Sequence, residues 1–353
     1  MFVILYDCPS YEQDLQTALQ NTHSLASLRG KKVMITGATG LIGSFLVDVL
    51  LAFNRTQQGD VDVYAVGRSR ERLAARFAGA ITERLHFVEQ DVNEPPTMDF
   101  AVDYVIHAAS NAYPAAFVKD PVGTILSNVL GTHYLLDYAH AHGAKRFLFV
   151  SSGEVYGQGD PALEAFTEEY SGYVDPTAVR SCYPASKRAA ETLCASYAQQ
   201  YGLETVIVRP CHTYGPNATA QDNRANVQFV NSAVAGENII MKSRGTQMRS
   251  YCYVADCVSA LLTVLLDGKC GEAYNIANPA ARTTIAGFAQ TVAEATGVQV
   301  LFEEPDAVAK SQQTAISYAV LDSQKLCALG WQGQYTVEDG VRQTVRTLQK
   351  IHG

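Results

Sequence analysis

The run Gly37-Ala38-Thr39-Gly40-Leu41-Ile42-Gly43 constrains this chain more than any other feature. It follows an apolar segment, Val33-Met34-Ile35-Thr36, that reads as a short buried strand, and it opens an amphipathic stretch over 41–53 that reads as a helix. Glycines in such a turn allow a sharp reversal, close approach of a phosphate to the backbone, and tight packing of helix on strand. The amides of the helix N-terminus then hold negative charge. A turn that needs glycine only for a positive φ is satisfied by one; three at this spacing point to the pyrophosphate of a dinucleotide.

The segments around the turn supply the fold class. Strand-like stretches at 61–66, 85–88, 103–107, 146–150 and 204–209 are interleaved with helical ones at 121–142 and 183–201. That rhythm predicts an α/β fold, a Rossmann-type doubly wound parallel sheet with helices on both faces. From about residue 211 it loosens into Gly-, Asn- and Pro-containing loops with helices near 224–235, 254–267, 284–296 and 337–350, which predicts a smaller α/β substrate-binding lobe. The expected division is a polar leader with a weak helical pattern at 1–30, a dinucleotide-binding domain at 31–210, and a mainly substrate-binding lobe at 211–353.

Charge narrows the partners. With 27 Lys plus Arg against 35 Asp plus Glu, a net charge of -8, the chain has no general affinity for nucleic acid or anionic lipid, so an anionic ligand must meet a local basic site. Eight cysteines without a Cys-x-x-Cys spacing read as reduced thiols and not as a metal site. No apolar run approaches the roughly 18 residues of a membrane span, and the apolar start at Met1–Tyr6 is too short for a signal segment. A soluble, cytoplasmic protein is expected.

The second strand ends Tyr64-Ala65-Val66-Gly67-Arg68, where an NAD-binding chain places an acid on the ribose hydroxyls. Here that acid is missing. Arg68, with Ser69 or Arg70, suits the 2′-phosphate of NADP; a solvated basic start to the next helix is the other reading, and both stay open. Asp91, after the third strand, is placed to touch adenine, with an acidic turn residue as the other reading.

Tyr183-Pro184-Ala185-Ser186-Lys187 puts a phenol and an ammonium one helical turn apart, a spacing at which the lysine can favour phenolate and make the tyrosine a base. Upstream, Phe147-Leu148-Phe149-Val150-Ser151-Ser152-Gly153-Glu154-Val155-Tyr156-Gly157 carries Ser152 off the end of a strand, where side chains enter the ligand crevice of a parallel sheet.

With these segments in order the chain resembles the extended short-chain dehydrogenases/reductases, the NAD-dependent epimerase/dehydratase family of nucleotide-sugar enzymes, and is nearest to UDP-glucuronate decarboxylases. The resemblance runs from about residue 30 to the C-terminus. Beyond the segments above it is carried by Asp91-Val92, His107-Ala108-Ala109-Ser110, Asn128 with Gly131-Thr132, Arg209-Pro210 and Tyr214-Gly215-Pro216. It implies that Tyr183 is the base, that Lys187 binds the nicotinamide ribose and tunes Tyr183, and that Ser152 hydrogen-bonds the reacting sugar hydroxyl. Cofactor contacts are implied for Gly37, Thr39, Gly40, Leu41, Ile42, Gly43, Asp91, Val92, Ala108, Ala109, Ser110, Asn128 and Pro210. Arg249 fits the arginine that closes over the nucleotide diphosphate, and Arg224 is a candidate second anion contact, with a surface helix start as the other reading. His212 stands where relatives carry a substrate-binding asparagine.

The resemblance also implies oxidation of sugar C4 by a tightly bound NAD or NADP, after which the subfamilies diverge. A 4,6-dehydratase resembles this chain at Glu154 but has an acid beside it to protonate the departing hydroxyl; here that neighbour is Gly153, which has no proton to give. A decarboxylase needs no such acid. The expected reaction is therefore decarboxylation of a UDP-uronic acid by a lyase, with Glu154 ordering the substrate or protonating C5. A 4,6-dehydratase or 4-epimerase is the alternative, and an NADP(H)-binding sensor the non-enzymatic one. A homodimer is expected through Pro121–His142 and the helix beginning near Tyr183, with Val129, Leu135, Leu136 and Ala139 as apolar candidates.

Overall fold

The computed structural model describes residues 5–160, 162–304 and 318–352. The chain opens with helix α1 (Pro9–Gln20), then β1 (Lys32–Thr36), α2 (Leu41–Gln57), β2 (Asp62–Gly67), α3 (Arg70–Arg76), β3 (Leu85–Glu89) and β4 (Tyr104–His107). It continues with α4 (Pro114–Lys119), α5 (Pro121–Ala141), β5 (Arg146–Val150), α6 (Cys182–Tyr201) and β6 (Thr205–Pro210). Next come β7 (His212–Tyr214), α7 (Ala225–Val234), β8 (Ile239–Met241), β9 (Met248–Tyr253), α8 (Val254–Asp267) and β10 (Ala273–Ile276). The last described elements are β11 (Arg282–Thr284), α9 (Ile285–Thr296), β12 (Val300–Phe302), β13 (Tyr318–Ala319), α10 (Gln324–Cys327) and α11 (Val337–His352).

Seven parallel strands form the large sheet in the order β10-β6-β5-β4-β1-β2-β3. The order runs outward from β1 in both directions, so loops leaving β1 and β4 part at their carboxyl ends and open the crevice in which such sheets bind ligands. The strands are apolar because both faces are covered: Val33, Ile35, Val63, Ala65, Leu148 and Val206 meet α2 and α8 on one side, and Phe147, Phe149 and Ile207 meet the α5 and α6 side on the other. A smaller sheet of β11, β9 and β13, with β7 paired to β9, and the pair β12-β8 lie on the far side of the crevice.

Two sequence expectations change. The segment read as a polar leader contains α1, which buries Tyr11, Leu15, Ala18 and Leu19 against α2 and α8. Its polar look comes from its exposed face and from Asp14, which is itself buried and accepts hydrogen bonds from the Tyr253 and Tyr335 hydroxyls at 2.6 and 3.0 Å. The division at 210 is also not a single crossing, because α8 and β10 return to the large sheet, β10 pairing in parallel with β6.

Candidate active site

A cavity of about 990 Å³ runs along the carboxyl ends of the large sheet's strands and under the smaller lobe. At one end is the glycine turn. Gly37 has φ +68°, and a Cβ there would sit 2.8 Å from the backbone of Ala108 and Ala109; a Cβ on Gly43 would sit 2.3 Å from the Gly37 carbonyl. The turn between β1 and α2 is therefore closed against the β4 loop in a way only glycine permits. The first amides of α2, at Leu41, Ile42 and Gly43, have no acceptors within the helix and line the cavity. A cradle of bare backbone donors with that shape fits a dinucleotide pyrophosphate.

Thr39, Gly40, Arg68, Asp91, Val92, Ala108, Ala109, Ser110 and Pro210 line the same cavity. Asn128 does not. It is buried within α5, donates to Ser186 at 2.9 Å and accepts from Ser110 at 2.8 Å, so it braces α6 and the Ser110 loop and makes no contact with the cavity. Its sequence position follows the family pattern, but helix geometry turns it toward α6.

Midway along the cavity stand Ser152, Glu154, Tyr183 and Lys187. Ser152 leaves β5 in extended conformation and its hydroxyl accepts from the Glu154 amide at 3.1 Å. Tyr183 is in the first turn of α6 with its ring stacked on Phe117, centroids 4.7 Å apart. Burial and the Glu154 carboxylate push its phenol up to about 12, against the opposing pull of a hydrogen bond with Ser152 and the charges of Arg224 and Arg180. Lys187 lies one helical turn further along α6. Its ammonium donates to the Val150 carbonyl at 2.8 Å and lies 5.8 Å from the Tyr183 ring centroid, and burial brings it down to about 7. Burial of this depth leaves Lys187 only partly charged near neutrality.

Two residues the sequence reading passed over complete this centre. Arg180 Nη2 donates to both Glu154 carboxylate oxygens at 3.0 Å, and its guanidinium lies 4.6 Å from the Phe117 ring centroid. Phe117 thus has Arg180 and Tyr183 against it. Arg180 Nε is buried without a hydrogen-bond partner. The signal was available: an acid at a strand end calls for a cation, and Arg180 precedes Tyr183 by three residues. At Gly153 a Cβ would meet the Leu321 side chain at 3.2 Å and the Pro210 carbonyl at 3.5 Å, so the position has no room for an acidic side chain without displacing Leu321.

Toward the smaller lobe, Arg224, Arg249 and His212 line the cavity. Arg224 caps α7, pairs with Asp222 at 2.5 Å and donates to the Thr213 carbonyl at 3.1 Å. Arg249 is buried on β9 and donates to the Met248 carbonyl at 2.9 Å. His212 is neutral: burial and the charges of Arg249 and Arg224 bring its imidazole down to about 3. Its Nδ1 is buried without a partner. Among the described residues no His, Cys, Asp and Glu cluster could hold a metal ion, and all eight cysteines are free thiols.

A doubly wound sheet, a glycine cradle at its switch point, and a serine, tyrosine and lysine facing one cavity define a Rossmann-type, dinucleotide-dependent enzyme. The chain belongs to the NAD dependent epimerase/dehydratase family, which matches residues 33–277. It is 39% identical over 263 residues to UDP-glucuronic acid decarboxylase 6 of Arabidopsis thaliana, covering 74% of both chains. To UDP-glucuronic acid decarboxylase 1 of Xenopus tropicalis it is 32% identical over 324 residues, 91% of this chain and 72% of that one. Among solved structures, the dTDP-glucose 4,6-dehydratase of Streptomyces venezuelae with NAD and TYD bound is 26% identical with a TM-score of 0.77, over 90% of this chain and 97% of that one.

Proposed function

We propose that this protein decarboxylates a UDP-uronic acid by a redox-neutral sequence with a bound nicotinamide dinucleotide. The observation that carries the reading is the pairing at positions 153 and 154: Glu154 held by Arg180, and a glycine packed against Leu321 where a dehydratase-type acid would have to stand. The similarity to UDP-glucuronic acid decarboxylases supports the same choice.

The glycine cradle, Ala108, Ala109 and Lys187 hold the dinucleotide, which when bound supplies a reversible acceptor for the C4 hydride. Ser152 hydrogen-bonds the C4 hydroxyl and Tyr183 takes its proton. Once C4 is a ketone, the C6 carboxylate is β to it. The C5–C6 electron pair passes to the C4 oxygen as CO2 departs, C5 takes a proton from water as the enolate collapses back to the ketone, and Tyr183 returns its proton to the C4 oxygen as C4 is reduced. The buried, unpartnered Nε of Arg180 offers a donor for the uronate carboxylate before it leaves. Arg249 and Arg224 take the diphosphate.

The enzyme acts as a homodimer through α4 and α5. Leu135, Leu136 and Ala139, named from the sequence as interface candidates, are buried against the protein's own sheet, whereas Val118, Val122, Ile125 and Leu126 form an exposed apolar stripe beside them. Among the described residues no helix is long and apolar enough to cross a membrane, and eight reduced thiols suit the cytoplasm.

Incubation with UDP-uronic acids and nucleotide hexoses, with products read by mass, tests the reaction. CO2 loss from a uronate is expected. Water loss from a hexose, or an isomer of unchanged mass, with no reaction of any uronate, would replace it with dehydration or epimerisation.

A further inference from the structure

We infer that the adenosine end of the cavity is built for a 2′-phosphate, so that the chain takes NADP in preference to NAD. The inference rests on the dinucleotide reading above and adds to it the identity of the dinucleotide. In a doubly wound sheet the end of β2 lies beside the pyrophosphate-binding turn and receives the adenosine ribose. Here β2 runs parallel to β1 with Val66 opposite Thr36, and the Ala38 amide donates to the Val66 carbonyl at 3.2 Å, so Arg68 projects next to the glycine cradle.

Four arginines lie in the segment from Arg68 to Arg76, and the structure divides them. Arg70 Nη1 donates to the Phe87 carbonyl at 2.8 Å, and Arg76 pairs with buried Asp48 at 2.5 Å. Both serve the fold. Arg68 and Arg72 line the cavity, and among the described residues neither guanidinium has a hydrogen-bond or ion-pair partner. The sequence alone paired Arg68 with Ser69 or Arg70; helix α3 instead brings Arg72 round, while the Ser69 hydroxyl is taken by the Arg72 amide at 3.2 Å.

No acid competes for the ribose. Glu89, the nearest carboxylate on β3, accepts from the Arg70 amide at 3.1 Å and is not a cavity residue. Asp91 lines the cavity one strand further out, with Oδ1 accepting from the Asn93 amide at 3.0 Å. Two unpaired guanidiniums with no carboxylate to bind free 2′- and 3′-hydroxyls complement a dianionic phosphate monoester by charge-assisted hydrogen bonds.

The experiment uses the full chain as purified. Denaturation should release NADP(H), identified by mass. After its removal, the apoprotein should bind NADP+ at least about ten-fold more tightly than NAD+, the scale of one charge-assisted contact. Arg68→Ala and Arg72→Ala should each weaken NADP+ by about ten-fold or more and change NAD+ affinity by less than about three-fold, and Arg68→Asp should reverse the preference. NAD+ serves as the control for folding in every variant. Release of NAD alone, with equal affinity for the two or equal losses in the variants, overturns the 2′-phosphate site and leaves the dinucleotide reading standing. Absence of any released dinucleotide, with no binding of either, overturns both.

Discussion

The proposed base, Tyr183, has its phenol pushed up to about 12 by burial and the Glu154 carboxylate. Tyr183→Phe keeps the stack on Phe117 and removes only the oxygen; turnover should fall by about 10² to 10⁴ while thermal unfolding is unchanged, and near-normal turnover would dismiss Tyr183 as the base. Arg180 is a sharper test of the site. Arg180→Met should raise the KM for a uronate and leave the released dinucleotide unaltered, and in a double-mutant cycle with Glu154→Gln the two losses should be non-additive by about 0.5–3 kcal/mol. Additive losses would mean the pair does not act as a unit. Lys187 adds a pH signature. Its folded value, about 7, lies below its ordinary value of 10.5, so the folded chain binds fewer protons in between and this contribution to stability grows as pH rises from 7. Lys187→Met removes it, so the variant's advantage in melting temperature over the parent should shrink from pH 7 to pH 9; a constant difference would contradict a neutralised lysine.

At the scale of elements, α1 shows how far a pattern can be read. Its apolar stripe of Tyr11, Leu15, Ala18 and Leu19 is helical in spacing, but its partners, α2 and α8, lie far along the chain, and nothing local marks the stripe as buried. Leu15→Ala should cost about 2–5 kcal/mol in denaturant unfolding, as for other buried leucines, and a loss below about 1 kcal/mol would show α1 to be an appendage. Six of the large sheet's seven strands were legible because each is a mainly apolar run ended by glycine or a polar turn, and the observed β2, β3, β5 and β6 lie within a residue of their expected positions; β10, far along the chain in the stretch read as the smaller lobe, was not expected. The short strands β7, β8 and β11 to β13 were not, since two or three residues carry no period, and β9 was not, since its Met248-Arg249-Ser250-Tyr251-Cys252-Tyr253 run has no apolar alternation to mark it. The same distinction holds in the site: Ser152, Tyr183 and Lys187 sit in motifs, whereas Arg180, Phe117 and Arg72 gain their roles from loops and helix turns that only the fold brings together.

For the whole molecule, one cavity joins the glycine cradle of the large sheet to the arginines of the smaller lobe, and the exposed Val122, Ile125 and Leu126 stripe stands outside it on α5. Leu126→Arg should convert a dimer to a monomer in light scattering with the melting transition still cooperative; an unaltered mass would place the interface elsewhere. The central claim is that one hydride leaves C4 and returns to it while CO2 is lost. Its most direct test is turnover of a UDP-uronic acid deuterated at C4 by the enzyme as purified, read by product mass and NMR. The account predicts a pentose product that keeps deuterium at C4, one CO2 released per turnover, and no reduced dinucleotide accumulating. Loss of the C4 deuterium to solvent, or CO2 release matched by net reduction of dinucleotide, would contradict it.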